Sequence, residues 1–582
     1  MKNSSVKKVL KRLKPYRFIL LLAVLSALVS VSLTLYIPVL VGRAIDHIIS
    51  KGNVGFEDVA RILGYIGIAI GGVTVCQWLM NYLVNLVSFR TVRDLRREVF
   101  RKFNSVPLSY IDTHGHGDLM SRVINDVDAV GDGLTQLFLQ LFSGVVTIVG
   151  TLVFMLMIDW RIALVVFFLT PLSLFVAGFI GKLTSRRFRE QQILQGEISS
   201  YVEEYVGNQR VVKAFSYEEQ AFEDFDLYNT ELYDVGFKAQ YAGALANPTT
   251  RLVNAIVYAA VGIIGALAAL SGTLTVGGLS CFLTYANQYT KPFNEVTGVL
   301  TQLQTGIAAA GRVFEVLEAE DETRDSASAP SPKHKGEVNI EDVSFSYTPE
   351  KPLIRHFSLS VKSGTHVAIV GPTGCGKTTL INLLMRFYDV NSGRITVDGT
   401  DIRDMKRDDL RSRYGMVLQD SWLFNGTIME NLRYGNESAS DEQVTAAAKA
   451  AYAHSFIRRM PNGYSTVISE GGGNLSQGQK QLLCIARAML TDPEILILDE
   501  ATSSIDTLTE IRVQKAFAKM MKGRTSFVVA HRLSTIRESD VILVMRDGNI
   551  VEQGSHDELL KKRGFYHELY NSQFAKPSLQ IT

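Results

Sequence analysis

Cysteine is nearly absent from this chain. Its four residues, Cys76, Cys281, Cys375 and Cys484, stand at spacings that form no pair. No disulfide framework and no cysteine metal site is expected, and the thiols read as reduced. His114 and His116 lie two residues apart with no further His or Cys beside them, so they read as a surface turn. Net charge is also nearly absent, at +2 over 582 residues. That forces no large basic surface and disfavours nucleic acid as a partner. Charged residues are few, 20% against 47% hydrophobic, and the shortage is uneven. Before about residue 310 long apolar stretches recur; after about residue 337 the composition is that of a soluble α/β protein. A chain of this length is expected to hold more than one domain.

The apolar stretches suit a membrane. A basic start (Lys2, Lys7, Lys8, Lys11, Arg12, Lys14, Arg17) leads into an apolar run over residues 18–41. The run is too long for a secretory signal, and no small-residue cleavage site follows it. At ~1.5 Å per residue it crosses a hydrocarbon core of ~30 Å. Further spans are expected at 60–87, 133–158, 161–183, 248–271 and 278–305, six in all. Links near 42–59, 158–160 and 271–278 are short and poor in Lys and Arg. Those near 89–132 and 184–247 are long and basic, with Arg90, Arg93, Arg96, Arg97, Arg101, Lys102, Arg186, Arg187 and Arg189. Positive residues stay cytoplasmic. The expectation is a multi-pass protein of the plasma (inner) membrane with both termini in the cytoplasm. Residues 91–104 and 193–206 keep apolar residues at helical spacing, so the membrane helices should run on into the cytoplasm and turn near 109–118 and 207–217. Polar residues within the spans, among them Gln77, Asn81, Gln136, Gln140, Asn254, Tyr285 and Gln288, either line a transport path or bond between helices.

Residues 319–336 are charged and then rich in Ser, Ala and Pro, and read as a linker. From Glu337 strands and helices alternate, the pattern of an α/β domain. Residues 371–379, GPTGCGKTT, fit the phosphate-loop pattern G-x-x-x-x-G-K-S/T, with an apolar strand over 366–370 before and an amphipathic helix over 379–385 after. Gly371, Gly374 and Gly376 let the backbone curl and aim N–H groups at phosphate oxygens; Thr373, Cys375 and Thr379 belong to the same cradle. Lys377 can neutralise the outer phosphates, and the Thr378 hydroxyl can hold Mg²⁺. The helix adds its positive N-terminal end. About 120 residues on, four apolar residues, 495–498, read as a buried parallel strand ending in Asp499 and Glu500. Asp499 suits the Mg²⁺ shell. Glu500 is placed to orient or deprotonate the water that attacks the γ-phosphate.

More matches follow in order: Tyr347 ahead of the loop, Gln419 in VLQD (417–420), EGG (470–472), LSQGQ (475–479), SID (504–506) and His531 in AHR (530–532). Together they make residues 337–575 resemble the nucleotide-binding domain of an ATP-binding cassette protein. With six spans ahead of it, the chain resembles an exporter half-transporter. The fold implied is an all-α six-helix membrane domain of type I exporter (type IV) form over residues 1–318, then an α/β P-loop NTPase cassette. The resemblance implies that Tyr347 stacks on adenine, that Gln419 senses Mg²⁺ and the membrane domain, that Asp506 belongs to the D-loop and that His531 stands near the γ-phosphate. It makes the turns near 109–118 and 207–217 coupling helices that rest on the cassettes. Ser476 and Gly478, with Gln479 where the helix begins, would form a second anion site that completes the pocket of a facing cassette, so that two domains sandwich two ATP.

The activity implied is ATP-driven export of amphipathic, multidrug or lipid-like compounds by alternating access. A siderophore-type importer shares the architecture. An ATP-gated channel or regulator is disfavoured by the intact Lys377 and Glu500. One departure stands out: the third signature residue is Gln477, where the family usually has Gly. With Lys377, Asp499, Glu500 and His531 intact, this leans the expectation towards a heterodimer with a second half that lacks the glutamate.

Overall fold

In the computed structural model the chain forms two compact units. One holds Met1–Val106 and His114–Glu320, the other Pro107–Thr113 and Asp321–Thr582. The structure describes residues 2–48, 55–323, 325, 335–418, 421–469, 472–499, 506–530 and 533–573; a few side chains near 2–4, 169–183, 246–250, 293–300 and at 534 are outside the description.

The first unit is helical. Its long helices are Arg17–Asp46, Phe56–Phe103, Trp160–Gly207, Glu218–Leu270 and Val276–Glu318. A further continuous helical segment, His116–Ile158, is wound with π turns at Arg122–Asp126 and Leu137–Phe142. The helix Glu218–Leu270 has 53 residues, and a bilayer needs only about 20. The helices Phe56–Phe103 and Trp160–Gly207 likewise continue through the stretches whose apolar spacing predicts it. Among the described residues, Ser5–Asp46, Phe56–Phe103, His116–Ile158 and Arg251–Leu270 are long and apolar enough to cross a membrane. The expected spans 161–183 and 278–305 fall within the continuous helices Trp160–Gly207 and Val276–Glu318, where part of the side chains is outside the description.

Polar groups in these helices mostly find partners close by. Thr34 donates to the Ser30 carbonyl at 2.8 Å and Thr147 to that of Ser143 at 2.8 Å. Back-bonds of this kind satisfy a hydroxyl without leaving the helix. Ser30 donates to Gln77 Oε1 at 3.3 Å, and the Tyr285 hydroxyl to the Leu35 carbonyl. For Gln77 and Tyr285 the interhelical reading therefore holds. Gln136, Asn254 and Gln288 each keep a buried side-chain oxygen with no hydrogen-bond partner.

Glycine sets how closely two of these helices approach. A Cβ on Gly277 would lie 1.9 Å from the Gly42 carbonyl oxygen, and one on Gly42 2.6 Å from that of Gly277. The missing side chains let two backbones touch. Asp46 on the first helix then accepts the Gly277 N–H at 2.7 Å, capping the start of the second.

The second unit is α/β. Its six-stranded sheet runs Asn549–Gly554, Val541–Arg546, His366–Val370, Thr525–Val529, Ile495–Asp499, Tyr414–Val417. Neighbours are parallel except the first pair. Residues 495–498 are at most 1% exposed, as a strand covered on both faces requires. A four-stranded antiparallel sheet, Ile354–Val361, Val338–Phe345, Ser392–Val397 and Thr400–Asp401, shares a core with it through Val338, Ile340, Val367, Ile369 and Leu380.

Two features differ from a plain linker-and-domain picture. Residues 107–113 pack as part of the cassette unit although membrane helices flank them in the chain. The expected linker is also tied down at both ends. The buried Arg407 guanidinium donates to the Thr323 carbonyl and to Asp325, each at 2.6 Å. Asp398 accepts the Lys335 and Glu337 N–H groups at 3.1 and 3.0 Å. The middle of the linker, 326–334, lies outside the described residues.

Gly277→Ala should force the two helices apart at a cost of about 1–3 kcal/mol, read as a lower melting temperature of the purified protein in detergent. Gly64→Ala, where a Cβ meets nothing within 4 Å, should leave the melting temperature unchanged or raise it slightly.

Candidate functional site

Parallel register decides which residues share an edge. Val529 is level with both Asp499 and Ile369, and Val417 with Leu498. Four strands therefore end side by side at residues 370, 417, 499 and 529, and the carboxyl edge of such a sheet is where ligands bind. The phosphate loop leaves the first of these strands and Asp499 closes the third. Gln419, Glu500 and His531, expected just beyond the other ends, lie outside the described residues, as do 470–471 and 501–505 of the flanking motifs.

Within the loop, Gly374 has φ +83° and Gly376 φ +100°, the left-handed region that glycine enters without strain. Gly371 is needed for space: a Cβ there would sit 2.3 Å from the Met545 carbonyl oxygen and 2.7 Å from Cys375 Sγ. Lys377 opens the helix Lys377–Leu384 and is buried. Its Nζ donates to the carbonyls of Gly371 at 2.9 Å and Pro372 at 3.0 Å. A buried ammonium held over the loop's own carbonyls fits an anion that would replace them as partner. Thr373 and Gly374 are exposed on the loop, and Thr378 is exposed in the first helical turn, leaving its hydroxyl open to a metal ion. Burial pushes the Cys375 thiol up, against the pull of Lys377, so it remains a thiol at neutral pH.

Thr379 is buried, and its hydroxyl accepts from that of Tyr347 at 3.2 Å. The Asn382 amide donates to the same tyrosine oxygen at 3.2 Å. Sequence reasoning missed Asn382, though its i+3 spacing from Thr379 on one helix was a usable signal. Tyr347 is 47% exposed, room enough for a base to lie on it. Its ring stands perpendicular to Phe345 (5.0 Å, 84°) and Tyr388 (5.0 Å, 90°).

The signature forms the start of the helix Gln477–Thr491, two residues earlier than its sequence suggests. Ser476 Oγ accepts the Gln479 N–H at 3.3 Å, and Gln479 Oε1 accepts the Ser476 N–H at 3.0 Å, a reciprocal cap. The Gln479 side chain is thus engaged within its own helix. Ser476 and Gln477 are exposed and Gly478 is buried. Asp506 caps the helix Thr507–Met521, accepting the Thr509 N–H at 2.9 Å, and that bond holds its carboxyl below the usual range. Within this chain the Asp506 carboxylate serves a helix end.

Gly371→Ala should strain the loop by about 1–3 kcal/mol. The expected outcome is a loss of affinity for a fluorescent ATP analogue of about tenfold or more, with the protein still monodisperse on gel filtration.

Two family models match the chain: the ABC transporter transmembrane region over residues 20–293 and the ABC transporter domain over residues 354–503. A Bacillus subtilis protein described as an uncharacterized ABC transporter ATP-binding protein, YfiC, is 41% identical over 581 residues, 99% of this chain and 96% of its own length. The fatty acid ABC transporter ATP-binding/permease protein of Mycobacterium tuberculosis is 41% identical over 523 residues, 90% of this chain and 83% of its own. The ATP-dependent lipid A-core flippase of Desulfotalea psychrophila is 38% identical over 576 residues, 97% of this chain and all of its own. Among solved structures, a bacterial Atm1-family ABC exporter with ATP bound matches with a TM-score of 0.78 and 29% identity, covering 97% of this chain and 99% of that one. A helical transmembrane domain and a nucleotide-binding domain follow each other in one chain, matched along nearly its whole length, and the chain belongs to the ABC transporters as an exporter-type half-transporter with an ATP-hydrolysing cassette.

Proposed function

We propose that the chain is one half of a dimeric exporter that uses MgATP to move a lipid-like amphipathic molecule across the plasma membrane, with both termini cytoplasmic. The observation that carries this is that one cassette presents two separate half-sites. Its phosphate loop surrounds a buried Lys377, while its signature helix begins at an exposed Ser476. A helix N-terminus with free N–H groups is an anion site. A second cassette facing this one would close each loop with the other's signature.

In that closed site Lys377 would hold the β- and γ-phosphates, and the loop N–H groups would share their charge. Tyr347 would stack on adenine, its hydroxyl fixed by Thr379 and Asn382. Thr378, Asp499 and Gln419 would hold Mg²⁺, which neutralises charge on the transferred phosphoryl group. Glu500 would orient the attacking water and His531 would bind the γ-phosphate. Catalysis is then mainly positioning and electrostatics.

Lipid-like cargo is supported by the substrates for which two relatives are named, a fatty acid and the lipid A-core. The unpartnered oxygens of Gln136, Asn254 and Gln288 are places where donors on a cargo or on a second subunit would gain a bond. Gln477 supports a heterodimer: it puts an exposed side chain into the signature that a partner's nucleotide would meet, while this chain keeps its own hydrolytic residues.

Glu500→Gln should cut ATP turnover by about 10²-fold or more while leaving ATP binding intact; turnover near that of the unmodified protein would refute the assigned role. The heterodimer is tested by purifying this chain alone. Weak ATPase activity that rises with a second half-transporter supports it, and full activity from this chain alone establishes a homodimer.

A further inference from the structure

The short helix Leu108–Thr113 is continuous in the chain with one membrane helix on each side, yet it packs within the cassette unit. Its polar tie to the cassette is Tyr388, whose hydroxyl donates to the Asp112 carboxylate. Burial and the nearby carboxylate both push the Tyr388 pKa up, so the hydroxyl stays a donor at physiological pH. The ring of Tyr388 meets Tyr347 at 5.0 Å and 90°, and Phe345 at 5.8 Å and 70°. Tyr347 in turn is bonded to Thr379 and Asn382 on the helix that follows the phosphate loop. An unbroken run of contacts therefore joins the phosphate-loop helix to Asp112 through two perpendicular tyrosines.

We infer that Tyr388 is a positioning residue that makes the helix Leu108–Thr113 sense the base of the bound nucleotide, by holding Asp112 on one side and the Tyr347 ring on the other. The inference rests on the proposed stacking of adenine on Tyr347. A base lying on Tyr347 restricts that ring. Tyr388, packed perpendicular to it, loses freedom with it, which strengthens the bond its hydroxyl already makes to Asp112. Coupling of this kind is reciprocal: whatever adenine does for the Asp112 bond, that bond does for adenine affinity. A group on a segment flanked by membrane helices should thus tune which nucleotide binds, without touching it.

The test uses the full-length transporter and the non-hydrolysable probes AMP-PNP and inorganic tripolyphosphate, the second having the phosphates but no base. Tyr388→Phe keeps the ring and removes the Asp112 bond. It should weaken AMP-PNP binding by about fivefold or more and leave tripolyphosphate binding unchanged. Asp112→Ala should do the same, and the double variant should be no worse than either single one, since both remove one link. Asp112→Asn, which keeps an acceptor oxygen, should restore affinity to within about twofold. A merely structural role would weaken both probes alike and lower the melting temperature. Equal effects on both probes, losses that multiply in the double variant, or unchanged AMP-PNP binding in Tyr388→Phe would each overturn the inference. Tyr347→Ala separates it from the reading beneath it: undiminished AMP-PNP affinity there would show that adenine does not stack on Tyr347, whatever Tyr388 does.

Discussion

Parallel pairing of strands buried on both faces is the constraint on which the nucleotide site depends. Each strand must return to the same end of the sheet before it can pair, so helices cross over and the carboxyl ends collect along one edge. Residues 495–498 and 367–370 leave almost no surface to water, and that burial holds the register. A slip by one residue would turn every side chain to the opposite face, among neighbours packed around a different shape. The acid at position 499 thereby comes level with the end of a strand more than a hundred residues away, through Val529, which pairs with both. Nothing local to Asp499 would place it there.

Glycine serves the two units for different physical reasons. At Gly374 and Gly376 the need is conformational, a positive φ that turns N–H groups inward. At Gly42 and Gly277 the need is the absence of a side chain, because backbone meets backbone. Gly371 joins the two cases, with little room beside Met545 and Cys375. Composition alone cannot tell these uses apart, since a glycine in an apolar helix and one in a loop count equally. What separates them is spacing in the loop and tertiary contact in the bundle.

That distinction also marks what could be read from the sequence. Apolar runs of bilayer length, the glycine spacing of residues 371–379 and the four apolar residues before Asp499 are local patterns, and local physics makes them legible. The helices indeed run on past the bilayer length where residues 91–104 and 193–206 predict it. The bond between the Thr379 hydroxyl and Tyr347 is not legible in the same way, because it joins residues 32 positions apart. The capping box Ser476–Gln479 is plain in the sequence, yet its function as a cap was hidden by its place in a motif. Arg407, a basic residue in an ordinary helix, gave no sign that it would bind the linker, because its partners stand 82 and 84 residues away.

The Arg407 contacts show how the cassette unit holds the chain that leads into it. A buried guanidinium is costly unless it is paired, and here Thr323 and Asp325 accept from its terminal nitrogens while the Glu322 carboxylate lies 3.2 Å from Nε. Thr323 and Asp325 are thus held as part of the cassette unit despite a surrounding composition that would otherwise leave them solvated. The other stretch from the first part of the chain that joins this unit is 107–113, held at Asp112 by Tyr388. The cassette unit therefore holds the chain at Asp112, beside its tyrosine pair, and at Thr323 and Asp325, through the buried Arg407.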